Sequence, residues 1–100
     1  MLESFSVETF ADRVGEAFRV QLDDGSELEL QLASATAAPT RPSDGPRSRA
    51  PFSIVFHGPP EPVLPQRIYS FEHGALGTFE LFIVPLGPEG SSMQYEAVFG

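Results

Sequence analysis

Apolar and polar positions alternate with a period of two along most of this chain, the signature of strands that bury one face. From Ala17, the side chains of Phe18, Val20 and Leu22 point one way and those of Arg19 and Gln21 the other. After Asp23-Asp24-Gly25-Ser26 the alternation resumes over Glu27 to Ala33, with Leu28, Leu30 and Leu32 opposed to Glu27, Glu29 and Gln31. Asp-Gly between two such runs predicts a hairpin, because glycine accepts the positive φ of a tight turn. Phe52, Ile54 and Phe56 define a third strand ending at His57-Gly58, with Val55 on its opposite face. A fourth runs from Arg67 to His73, with Tyr69 and Phe71 opposed to Ile68, Ser70 and Glu72. Gly74 to Gly77 turn it back, and Met93, Tyr95, Ala97 and Phe99 line one face of a last strand beyond the turn at Gly87 to Ser92.

The fifth strand breaks the pattern. Thr78 to Leu86 is the densest apolar run, with Phe79, Leu81 and Ile83 on one face and Phe82, Val84 and Leu86 on the other. A strand apolar on both faces requires cover on both, so this segment is expected to be central. One source of cover is a short helix over about Val7 to Val14, whose Val7, Phe10 and Val14 share a face. Thr9 with Asp12 fits the spacing of a capping box, and Gly15 is placed to end the helix.

One helix and six strands, joined largely as hairpins in a meander, predict a mostly β domain. The expected architecture is a small antiparallel six-stranded barrel or a two-sheet sandwich, since both hide strand edges. Pro59, Pro60, Pro62 and Pro65 forbid regular pairing, so Gly58 to Gln66 is expected to cross the sheet edge in extended form. Residues 36–51 carry four prolines and read as a flexible loop or, through Arg41, Arg47 and Arg49, as a docking arm for an acidic partner.

One hundred residues, 41% of them hydrophobic, bound the chain to a single domain (1–100) with one modest core. Fourteen acids against six arginines give a net charge of -8, which argues against a nucleic-acid backbone or an anionic membrane as partner. It fits a protein partner or self-association. The absence of lysine excludes Schiff-base and P-loop chemistry, and the absence of cysteine excludes thiolate chemistry and disulfides. Met1 to Ser6 lack a basic start and a long apolar run, so no signal peptide is expected. A cytoplasmic location or a place in an assembled particle follows as the expectation.

Candidate chemistry is sparse. His57 and His73 end strands, with Glu72 and Glu96 as nearby carboxylates, but the spacing lacks the i, i+4 histidine pair of a zinc helix. No Gly-x-Ser-x-Gly elbow is present. The carboxylate pairs Asp23-Asp24 and Glu27-Glu29 sit in a turn and on a polar face, where solvated charge is the better reading. No catalytic residue, metal or cofactor is therefore expected. A barrel of this kind also raises a second function, a small-ligand pocket lined by Phe82, Val84 or Phe71, although nine phenylalanines are enough to fill so small an interior.

Phe56-His57-Gly58-Pro59, Leu64-Pro65-Gln66, Tyr69, Glu72-His73, Leu76-Gly77, Glu80-Leu81-Phe82, Val84-Pro85 and Tyr95-Glu96-Ala97-Val98-Phe99 together look familiar. With Phe10, Val14-Gly15 and Phe18, they give the chain a likeness that covers nearly everything except the proline-rich loop. It resembles an uncharacterised family of short bacterial proteins, a domain of unknown function encoded near tail-collar or tail-fibre-like proteins. The resemblance implies an accessory component of a phage-tail-like assembly and carries over no catalytic residue. Residues and resemblance point to the same expectation, a non-enzymatic structural or interaction module that contacts its partner, or a second copy, through the face bearing Phe82 and Val84 or through the exposed edge of a terminal strand.

Overall fold

A computed structural model describes residues 5–37, 52–61 and 63–99. Its elements are α1 (Val7–Ala11), β1 (Ala17–Gln21), β2 (Glu27–Ala37), β3 (Phe52–Gly58), β4 (Arg67–His73), β5 (Gly77–Glu89) and β6 (Ser92–Phe99). The six strands form a closed antiparallel barrel in the order β1-β2-β3-β6-β5-β4. A single meander would place the strands in sequence order. Instead the crossing after β3 returns the chain beside β1, so that β4-β1-β2-β3 and β3-β6-β5-β4 are two interlocked Greek keys. Closure removes most of the strand edges that an open sheet would expose.

Period-two alternation sorts the side chains between interior and exterior as the sequence predicts. Phe18, Val20, Leu30, Leu32, Phe52, Ile54, Phe56, Tyr69, Phe71, Phe79, Leu81, Ile83, Met93, Tyr95 and Ala97 are all buried. Phe71 lies 5.2 Å from Phe56 and 5.9 Å from Phe79 between ring centroids, so it is part of a packed core. Phe82 points outward and is 49% exposed, which removes it from any pocket within the barrel.

Each end of the barrel is closed by a different device. At one end, Phe10 of α1 is fully buried and meets Phe18, Phe52, Phe79 and Phe99 at ring distances of 5.4 to 6.4 Å. The helix therefore plugs the barrel and does not cover the outer face of β5, as the sequence had suggested; Val14 is 49% exposed. A helix of one and a half turns has no stability of its own and is held by this aromatic anchor. It is also shorter than predicted: Ser6 is the N-cap and Thr9 the N3 residue, with Ser6 N–H donating to Thr9 Oγ1 at 3.0 Å. Both Ser6-Thr9 and Thr9-Asp12 have capping-box spacing, and the position of Phe10 over the barrel mouth selects the first. Gly15, at φ 95°, then turns the chain so that its N–H reaches Leu32 O at 2.8 Å.

At the other end, the extended crossing predicted after Gly58 lies against two tyrosines. Leu64 is buried and its N–H donates to Tyr95 Oη at 2.9 Å, while Tyr69 Oη donates to Pro65 O at 2.8 Å. Desolvation raises the pKa of Tyr69, which keeps the phenol a donor. A Cβ at Gly58 would run into Cδ2 of the buried Leu30, so any larger residue there would force that side chain to shift.

The predicted β1–β2 hairpin is formed, and its turn is a three-residue loop: Gly25 N–H bonds Leu22 O and Leu22 N–H bonds Ser26 O, with Gly25 at φ 87°. Two local details depart from the sequence reading. Strand β2 continues through Thr36 and Ala37, which pair with Ser53 and Phe52 and so belong to the sheet and not to the loop. Strand β5 continues through Pro85 and Pro88, because a register shift between Pro85 and Gly87 accommodates residues that cannot donate to a ladder. Arg41, Arg47 and Arg49 lie outside the described residues.

Candidate functional site

The outer surface of β4, β5 and β6 carries what the alternation of β5 left unexplained. Phe82 is the ladder partner of Ile68 on β4, and the β5–β6 register, carried on from Val84↔Glu96, brings Val98 to its other side. These three outward residues on neighbouring strands are 49%, 59% and 70% exposed respectively. A row of large apolar side chains on a sheet's solvent face has no role in the core and is the usual mark of an interaction surface. Val84, two residues further along and paired with Glu96 of β6, is half-buried.

The ladder beneath this row is incomplete. β5 pairs with β4 over residues 77–83 and with β6 only from Val84 onward; β6 pairs with β3 through Phe99. Between Phe79–Ile83 of β5 and Ala97–Phe99 of β6 no strand pairing is formed. A surface crevice of about 280 Å³ opens there, walled by Ile68, Phe82, Val98 and Phe99, with Glu80 at its rim. Glu80 has no ion-pair or side-chain hydrogen-bond partner among the described residues, and neither has Glu96, which faces outward beside Val84.

The histidines do not converge. His57 faces outward on β3, with Nε2 3.5 Å from Glu89 Oε1 beside a polar hollow that includes Glu29, Gln31 and Ser92. His73 faces inward, its ring tilted against Phe18 at 4.5 Å between centroids. Its Nδ1 accepts the backbone N–H groups of Ala75 and Leu76 at 3.0 and 3.3 Å. The proton therefore sits on Nε2, which donates to Glu16 Oε1 at 2.6 Å. This arrangement turns the β4–β5 corner and ties it to the loop after α1. Glu72 pairs with Arg19 at 3.1 Å on the outer surface. Among the described residues no group of three or more His, Asp or Glu side chains is arranged to hold a metal ion. Nor does any described helix have the length and apolar character to cross a membrane.

A closed, aromatic-filled Greek-key barrel with an apolar outer row over an incomplete seam defines the class of protein. The family model described as a domain of unknown function, DUF6916, matches residues 5–99, and the chain belongs to that family. No curated protein and no solved structure matches the chain. Sequence reasoning singled out Phe82 and Val84 through the two-sided apolarity of β5, and the structure places Phe82 on the outer face. It missed Ile68 and Val98, because a lone apolar residue on a strand's polar face is unremarkable until topology sets it beside others.

Proposed function

We propose that this protein is a non-enzymatic interaction module that docks a protein partner on the outer face of β4, β5 and β6. The observation that carries the reading is the contiguous exposed row Ile68, Phe82 and Val98. The setting suggested by the resemblance is a bacterial, phage-tail-like assembly in which this domain is an accessory component. Burial of Phe82 alone would make it an anchor of the kind that dominates interfaces, by about 1.5–3 kcal/mol from area removed from water. Co-purification from the native source, followed by light scattering and thermal melts of the wild type and Phe82→Asp, tests it. A folded Phe82→Asp protein that has lost its partner is the expected result. A variant that unfolds, or one that retains every partner of the wild type, overturns the reading.

A further inference from the structure

We infer that Glu96 sets the specificity of the outer face: a protein partner seated there brings an arginine to this carboxylate, among apolar contacts. The inference rests on the docking face proposed above and names the chemistry of its occupant. Glu96 lies between Val55 of β3 and Val84 of β5, its ladder partners on either side, with Val98 two residues along its own strand. All four side chains point outward, because Ile54, Phe56, Ile83, Tyr95 and Ala97 beside them are buried. Valine on three sides leaves the carboxylate half-buried, and among the described residues it has no ion pair or side-chain hydrogen bond.

Phe82 and Glu96 are diagonal neighbours across β5 and β6, about 7–8 Å apart, whereas a stable interface takes about 800 Å² from each partner. A protein that buries Phe82 therefore buries Glu96 as well. Taken out of water bare, a carboxylate suffers a desolvation penalty that no neighbouring valine offsets. A cation opposite it removes that penalty. Arginine suits the place better than lysine, because its guanidinium forks onto both carboxylate oxygens while its apolar stem can lie on Val55 and Val84. Every contact comes from above the sheet, so the strands keep their pairing. A second copy of this chain fits poorly: Arg13, Arg19 and Arg67 already pair with Glu16, Glu72 and Asp23, and a two-fold contact centred here would set Glu96 near its own copy. Glu80 supplies the contrast, since it is exposed at the rim of the crevice and keeps its access to water.

The probe is a phage-displayed library of disulfide-closed random peptides, panned on the intact protein. Clones that bind the wild type and not Phe82→Asp are kept as ligands of the face. Their synthetic peptides are titrated against wild type, Glu96→Gln and Glu80→Gln, two variants with the same change in net charge, after thermal melts have shown each to be folded. An arginine common to the peptides is expected, with binding about tenfold weaker to Glu96→Gln and less than about twofold weaker to Glu80→Gln. Lysine in place of that arginine should weaken binding several-fold. Affinity should fall steeply between about 50 and 500 mM salt for wild type and Glu80→Gln, and little for Glu96→Gln. Panning on Glu96→Arg should enrich aspartate or glutamate instead. Ligands of the face that lack a basic residue, or equal weakening by the two glutamine variants, overturn the inference. So does an unfolded Glu96→Gln, which would assign the carboxylate to the fold, and so does self-association of that variant by light scattering, which would assign it to holding copies apart. A library without a single Phe82-dependent clone overturns the docking face itself, whereas Phe82-dependent clones indifferent to Glu96 leave that face standing and remove only the arginine.

Discussion

Two seams of this barrel are short of ladder pairs, and they are finished in opposite ways. Between β1 and β4 only Arg19↔Glu72 and Val20↔Phe71 are paired. Side chains complete that seam on both faces: outside, Arg19 meets Glu72 at 3.1 Å and Arg67 meets Asp23 at 2.6 Å; inside, Phe18 packs against His73. Arg67 also lies over the Tyr69 ring, 5.0 Å from its centroid. Between β5 and β6 the unpaired half has no such bridges among the described residues and is lined by apolar groups. Polar bridges that can be satisfied within the chain belong to a closed seam. The apolar side chains left on the open one are the ones on which the proposed docking face rests.

The largest expected effect separates the two faces of the open seam at adjacent residues. Leu81 is 4% exposed and points into the barrel, so Leu81→Asp buries an unpaired charge. Its cost of several kcal/mol is comparable to the whole stability of a domain this size, about 5–15 kcal/mol. Circular dichroism should show Leu81→Asp unfolded and Phe82→Asp folded. Two unfolded variants would mean that the outer row is part of the core, and the contrast between the seams would vanish.

Next in size is the end at which the Greek-key crossing brings β4 beside β1. Tyr95→Phe removes the acceptor for the buried Leu64 N–H and should cost about 1–3 kcal/mol, read as a shift of the urea midpoint with an unchanged slope. A neutral result would mean that the crossing does not hold the strands it joins.

The interior of this fold was nearly all legible, because alternation assigns Phe18, Leu30, Phe56, Phe71 and Leu81 to one face before any pairing is known. Strand order was not. Alternation says which residues face inward but nothing of which strands are neighbours, and a meander and two Greek keys share the same period. The site was half legible for the same reason. Phe82 was conspicuous within its own strand, whereas Ile68 and Val98 become a surface only through the pairings β4–β5 and β5–β6. The role of α1 was misread because Phe10 anchors equally well to a barrel mouth or to a sheet face.

At the closed seam, a double-mutant cycle on Arg19→Ala and Glu72→Ala should give a coupling of about 0.2–1 kcal/mol, since both side chains are nearly half exposed. High salt should erase most of it. A coupling that survives molar salt would mean that the pair is shielded from solvent, and that the closed seam is drier than its exposure indicates.

The smallest effect is a pH dependence at Asp23, and its sign follows from the direction of the shift. The Arg67 guanidinium holds the Asp23 carboxyl below its ordinary value of 3.8, first by hydrogen bonding and then by charge. A carboxyl depressed in the folded state binds its proton more readily when unfolded. Its contribution to stability is therefore fully present above 3.8 and is lost as pH falls through the lower folded value. Asp23→Asn should melt slightly below the wild type at about pH 6, with the gap narrowing at about pH 3. Salt should narrow it too, because the pair lies at the solvent-exposed surface. Asp24 provides the comparison within the same turn, since its carboxyl is lowered by hydrogen bonds from the Ser26 side chain and backbone. Asp24→Asn should show the same acid trend with little response to salt, because those donors are neutral dipoles and not a full charge. Equal salt sensitivity of the two variants would show that Arg67 does not act on Asp23 in particular, and the electrostatic closure of the β1–β4 seam would then rest on Arg19 and Glu72 alone.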